Sequence, residues 1–230
     1  MEIHGIQKMT LLDYPEKVAC TIFTARCNFR CPFCHNASLV THVDAAVAIS
    51  EEEVFSFLAK RQGILDGVCI TGGEPLLQPD IEEFIRKVKG LGYQVKLDTN
   101  GSNVLRLRRL VEQGLVDYVA MDIKNAPDKY GTTIGIEEYD MSNIFQSVDF
   151  LMSGDVPYEF RTTVVRQFHK REDFAAIGRW IKGAKQYYLQ SFVDSGDLIC
   201  PGMKGYTKEI MEQALEIVKR NIPNAKLRGV

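Results

Sequence analysis

Apolar, strand-like runs alternate with amphipathic helical stretches from residue 18 onward, and this alternation limits the fold more than any other feature. The runs at 18–25, 67–71, 93–99, 116–123, 158–165 and 186–190 read as strands. Between them, apolar residues recur with helical period. Ser50 and Glu53 form a capping box that opens a helix through Arg61, with Val54, Phe55, Phe57 and Leu58 on and beside its apolar face. Ile81, Phe84, Ile85 and Val88 stand at i, i+3, i+4 and i+7. Val104, Leu107, Leu110 and Val111 form the next face, then Ile144, Val148 and Leu151, then Phe174, Ile177 and Ile181. Thr207 caps a last helix with Ile210, Ala214 and Ile217 facing inward.

Strand–helix alternation implies parallel βα units. Six are too few for a closed eightfold barrel, so the expected architecture is α/β. It is either a partial, open (β/α)6 barrel of TIM type or a doubly wound sheet. Residues 1–17 read as an irregular extension and 18–230 as a single domain. An alanine-rich polar loop is expected after residue 40, and a long Gly-, Thr- and Pro-rich loop over 125–139, which is the first candidate for partner recognition.

In such folds the chemistry gathers at the C-terminal ends of the strands. Polar groups fall there repeatedly: Gly72, Gly73 and Glu74 after the second strand, Asp98, Thr99 and Asn100 at the third, Asp122 and Lys124 at the fourth. Arg161 lies in the fifth strand and Gln190 ends the sixth. Each taken alone has an ordinary explanation as a turn, a cap or a surface pair.

After the first strand come Cys27, Cys31 and Cys34, at C-x3-C-x2-C spacing. Three thiolates so close along a loop can converge on one metal centre, and cysteine is the usual ligand of iron–sulfur clusters. Four ligands are usual and the motif offers three, which leaves one iron open to a small molecule. The alternatives are a Cys3His zinc site with His35, in a binding module without catalysis, or redox-active thiols. Cys20 and Cys69 lie inside apolar runs and read as buried thiols, while Cys200 sits alone in a loop.

The 230 residues carry a net charge of -2, which gives no general attraction to nucleic acid or anionic membrane. No run of eighteen apolar residues appears, and residues 1–17 lack the apolar core of a signal peptide, so a cytoplasmic location is expected.

The cysteine loop, with Phe33 before its last cysteine, resembles the cluster motif of the radical S-adenosylmethionine superfamily. Gly72-Gly73-Glu74-Pro75 resembles that family's second motif. The resemblance implies a radical S-adenosylmethionine partial barrel with a [4Fe-4S] cluster on Cys27, Cys31 and Cys34. The fourth iron would bind the methionine part of S-adenosylmethionine, Gly72, Gly73 and Glu74 its amino group, and Phe33 would lie near the adenine. The stretches 6–15 and 21–36 are similar to glycyl-radical-enzyme activases, in particular the activating protein of anaerobic ribonucleoside-triphosphate reductase.

Asp98-Thr-Asn-Gly101 and Met121-Asp-Ile-Lys124 resemble pieces of pyruvate formate-lyase activating enzyme. That likeness implies a monovalent cation on Asp98, Thr99, Met121 and Asp122, and Lys124 on the methionine carboxylate. Arg161 and Gln190 are added as further cofactor contacts. The implied partners are a glycyl radical enzyme and a flavodoxin- or ferredoxin-type reductant. Action on pyruvate formate-lyase or on a small molecule remains the alternative.

Overall fold

The computed structural model describes residues 1–44 and 47–230. Ala45 and Ala46, within the expected alanine-rich loop, lie outside the described residues. The chain divides into two compact units. The first holds Met1–Asn28, Ser38–Ala120 and Asp155–Pro157, and the second Phe29–Ala37, Met121–Gly154 and Tyr158–Val230.

In the first unit, the N-terminal stretch is not irregular as expected. Ile3–Thr10 is a strand, β1, antiparallel to β2 (Ala19–Thr24). Register shifts between Ile3 and Gly5 and between Gln7 and Thr10 break the two-residue alternation that marks a strand, so no periodic signal survives. β2 pairs in parallel with β3 (Gly67–Gly72), and β3 with β4 (Gln94–Thr99).

The helices follow their periodicity. After the short α1 (Ala37–Val40), α2 (Glu51–Ala59) is capped by Ser50, whose side chain accepts the Glu53 N–H. α3 (Ile81–Gly90) buries Ile81, Phe84, Ile85 and Val88, each contributing roughly 2 kcal/mol of apolar burial. α4 (Val104–Glu112) buries Val104, Leu107 and Leu110.

β5 (Tyr118–Asp122) runs from the first unit into the second. In the second unit the expected loop over 125–139 is a 3-10 turn, Pro127–Lys129, and a short helix, α5 (Tyr130–Ile134). Tyr130, Thr133 and Ile134 are buried. Pro127 opens the turn and Gly135, at φ +73°, closes the helix.

α6 (Ser142–Ser153), β6 (Tyr158–Val164), α7 (Arg171–Trp180) and β7 (Tyr187–Ser191) follow as expected. In α8 (Lys208–Lys219), Met211, Ala214, Ile217 and Val218 are buried, but Ile210, expected inward, is exposed. β6, β7 and β8 (Lys226–Arg228) form parallel pairs. β8 carries too few apolar residues to be seen in advance. Among the described residues no helix is long and apolar enough to cross a membrane.

Candidate functional site

Arg26 launches the cysteine loop with a positive φ of +70°, a conformation that non-glycine residues seldom adopt. Its guanidinium bonds Glu2 at 2.6 Å and its N–H donates to Leu39 O. The two motif glycines have a physical reason at the same place. A Cβ on Gly72, which sits at φ +122°, would fall 2.2 Å from Thr24 O, and one on Gly73 would fall 1.9 Å from Arg26 O. Gly73 N–H donates to Thr24 O and Glu74 N–H to Arg26 O, both at 2.8 Å. Glycine is therefore required for the backbone after β3 to lie flat against the backbone that leads into Cys27.

Glu74 is 1% exposed. Its carboxylate accepts from Leu76 N–H at 3.0 Å, Thr99 Oγ1 at 2.7 Å and Asn100 N–H at 2.7 Å. It thus ties the end of β3 to the end of β4. Asn100, one of the polar residues at the end of that strand, points its amide at Cys27 Sγ (3.8 Å) and at Asn28 Oδ1 (2.9 Å). Asn28 in turn donates to Ser102 Oγ at 2.9 Å. An N–H aimed at a ligand sulfur is the kind of contact that tunes a cluster.

Asp98 stands on β4 two residues from Lys96, so both side chains share a face. The Lys96 ammonium is bonded to Asp98 Oδ1, and the Cys69 thiol approaches the same oxygen at 3.6 Å.

The second unit holds Cys31 and Cys34. Cys34 N–H donates to Cys31 O at 2.9 Å, which makes the C-x2-C stretch a tight turn. Burial pushes the Cys31 thiol up to about 11 and raises Cys34, against the nearby Lys124 charge. Ligation needs thiolates, so loading this turn must release protons. Phe33 is buried with its ring against Phe168 at 5.5 Å, which leaves its backbone as the group that can face a ligand. His35 stacks on Phe192 at 5.1 Å.

Asp122 bonds Lys124 Nζ at 2.8 Å and Arg161 Nε at 3.0 Å. Burial opposes its ionisation, yet the two cations hold its carboxyl down at about 2, and the same pairing raises Lys124. Met121 is fully buried. Gln190 is half-buried on β7, in register with Thr163 and Arg228.

His169, unnoticed in the sequence, is fully buried and held neutral by desolvation. Its Nδ1 accepts Val165 N–H (3.1 Å) and its Nε2 donates to Lys124 O (2.9 Å). Asn125 braces the same turn through Thr133 and Phe168 O. α5 reaches the cysteine loop, because Arg30 N–H donates to Ile134 O at 2.9 Å and Tyr139 packs edge-on against Phe29.

Soft thiols suit an iron–sulfur cluster: in the first unit Cys27 has a sulfur-directed amide beside it, and in the second Cys31 and Cys34 share one tight turn. Among the described residues no three His, Cys, Asp or Glu side chains gather as a single metal ion would need.

The radical SAM superfamily model matches residues 21–181. The chain belongs to the radical S-adenosylmethionine superfamily. It is 34% identical, over 99% of its length and 96% of the relative's, to a Methanocaldococcus jannaschii protein provisionally named glycyl-radical enzyme activating enzyme. It is 31% identical to the pyruvate formate-lyase-activating enzyme of Listeria monocytogenes, over 56% of this chain and 55% of that one. Among solved structures, Streptococcus suis SuiB bound to the precursor peptide SuiA superposes with a TM-score of 0.72 at 13% identity, over 91% of this chain and 48% of SuiB. That likeness shows the fold, an α/β radical S-adenosylmethionine fold with a parallel sheet.

Proposed function

We propose that this radical S-adenosylmethionine enzyme activates a glycyl radical enzyme, and that its partner is anaerobic ribonucleoside-triphosphate reductase. One observation carries the activase reading: the relative provisionally named for that activity aligns over 99% of this chain and 96% of its own length. The choice of reductase rests on the stretches 6–15 and 21–36.

Cys27, Cys31 and Cys34 would hold a [4Fe-4S] cluster, which would supply the one-electron reduction of S-adenosylmethionine needed for abstraction of a glycine Cα hydrogen from the partner. The protein's part is to position and to exclude water. The Gly72 and Gly73 carbonyls are the proposed acceptors for the methionine ammonium. The Glu74 carboxylate, occupied by three protein donors, holds that turn rather than the ligand.

Lys124 is the cation for the methionine carboxylate, shared with Asp122 and steered by the His169 contact to its backbone. Arg161 acts through Asp122, and Phe33 meets the adenine through its backbone. Gln190 completes the set on β7. A flavodoxin- or ferredoxin-type protein is the reductant.

The test is electron paramagnetic resonance. The reconstituted protein, S-adenosylmethionine and a reductant are incubated with anaerobic ribonucleotide reductase or with pyruvate formate-lyase. A glycyl doublet on the reductase supports the proposal. A doublet on the lyase alone moves the partner, and 5′-deoxyadenosine without a radical on either protein rejects the activase reading.

A further inference from the structure

The resemblance to pyruvate formate-lyase activating enzyme implies a monovalent cation on Asp98. Its surroundings in this chain argue otherwise. Lys96 lies mid-strand in β4, where Val95 and Leu97 beside it are fully buried. A lysine is out of place in such a strand unless it is paired. Lys96 is 1% exposed, its ammonium is bonded to Asp98 Oδ1, and Cys69 Sγ lies 3.8 Å from the same nitrogen. Cys69 is its register partner on β3, so the parallel pairing itself delivers the thiol to that spot. The Asp98 side chain is only 12% exposed.

We infer that Lys96 is the built-in counter-cation of Asp98, a fixed ammonium standing where an alkali ion would otherwise be recruited, so that S-adenosylmethionine binding by this chain is independent of monovalent cations. Three arguments carry this. A buried ammonium without a partner is costly, so Lys96 holds its carboxylate permanently. A tethered ammonium competes at a high effective concentration against any ion in solution. A second cation on the same carboxylate would sit beside the first and be repelled in a poorly screened site.

The second carboxylate of the implied cation site shows the same economy within its own unit. Asp122 has Lys124 at 2.8 Å and Arg161 at 3.0 Å. Both acidic groups thus have side-chain cations of their own. Lys96 is a positioning residue: it acts on the ligand through Asp98.

The inference rests on the radical S-adenosylmethionine reading of the site and not on the choice of partner. Its test is S-adenosylmethionine affinity, by equilibrium dialysis of the cluster-loaded protein, in tetramethylammonium chloride and in potassium chloride at equal ionic strength. The parent protein should show less than about twofold difference. Lys96→Met, which keeps the length and removes the charge, should bind more weakly in tetramethylammonium and recover about tenfold on adding potassium.

Thallium-205 resonance on the cluster-free chain gives a second readout, with thallous ion as the potassium probe. The parent should show no saturable site. A saturable site on the parent overturns the inference even if Lys96→Met does not fold. A folded Lys96→Met without an alkali response also overturns it and leaves Lys96 a structural pair. S-adenosylmethionine that fails to bind a fully loaded parent in either salt would instead overturn the reading of the site itself, and the inference would fall with it.

Discussion

The side-chain amide of Asn100 donates to the sulfur of Cys27 at 3.8 Å, across 73 residues of sequence. The same amide holds Asn28 Oδ1, so one turn after β4 positions both the first cysteine and its neighbour. Asn100→Ala should remove an N–H that stabilises negative charge on sulfur. The cluster should then become harder to reduce, with cleavage of S-adenosylmethionine slower by about tenfold. A potentiometric titration showing an unchanged midpoint would remove Asn100 from the cluster's surroundings.

Gly73→Ala should be among the most damaging single changes. Its Cβ would meet Arg26 O at 1.9 Å and Arg26 C at 2.5 Å, and both atoms are backbone. A cost of about 3 kcal/mol is expected, read as a lowered midpoint in denaturant. Gly90→Ala is the control, since a Cβ there meets nothing within 4 Å. It should be neutral or stabilising by up to about 1 kcal/mol. Equal midpoints for the two variants would contradict the close approach of the two turns.

Glu74→Gln should separate bracing from ligand contact. One carboxylate oxygen accepts from Leu76 N–H and Thr99 Oγ1, the other from Asn100 N–H. An amide cannot satisfy all three donors, and a loss of about 2 kcal/mol should appear in the cluster-free protein. A variant as stable as the parent that binds S-adenosylmethionine poorly would show that Glu74 contacts the ligand.

His169 gives the pH dependence its sign. Burial lowers its pKa, and the backbone contacts to Val165 and Lys124 only partly offset this. The unfolded chain therefore takes up a proton, near pH 6.5, that the folded chain refuses. Stability should fall as pH drops through that range, by up to about 1.4 kcal/mol per pH unit. Thermal melts of the parent and His169→Gln between pH 8 and 5.5 test this, because the variant should lose that part of the slope. Parallel profiles would mean that His169 is charged in the folded protein.

What the sequence discloses and what it hides divide along physical lines. α3 and α4 follow from local periodicity, because burying one helix face imposes a period that the chain must carry. The cysteine spacing and the glycine pair are also local and legible. β1 is hidden because bulges erase its alternation. The 125–139 segment looks like loop because its turn formers mark the ends of helices only one turn long.

The polar contacts are hidden for another reason. Lys96 was detectable in principle, as a lysine between apolar neighbours and two residues from a carboxylate. That Glu74 ties the end of β3 to the end of β4, and that Asn100 faces a sulfur, depends on turns brought together by the sheet, and no spacing records it.

The central claim is that Cys27, Cys31 and Cys34 carry a cluster that cleaves S-adenosylmethionine. The most direct measurement is 5′-deoxyadenosine formed after anaerobic reconstitution with iron and sulfide, on adding reductant and S-adenosylmethionine. The parent protein should form it. Cys27→Ala, Cys31→Ala and Cys34→Ala should each fold and form none. Product at the parental rate from any of the three variants, or none from a parent verified to hold a full cluster with its partner present, would contradict the account.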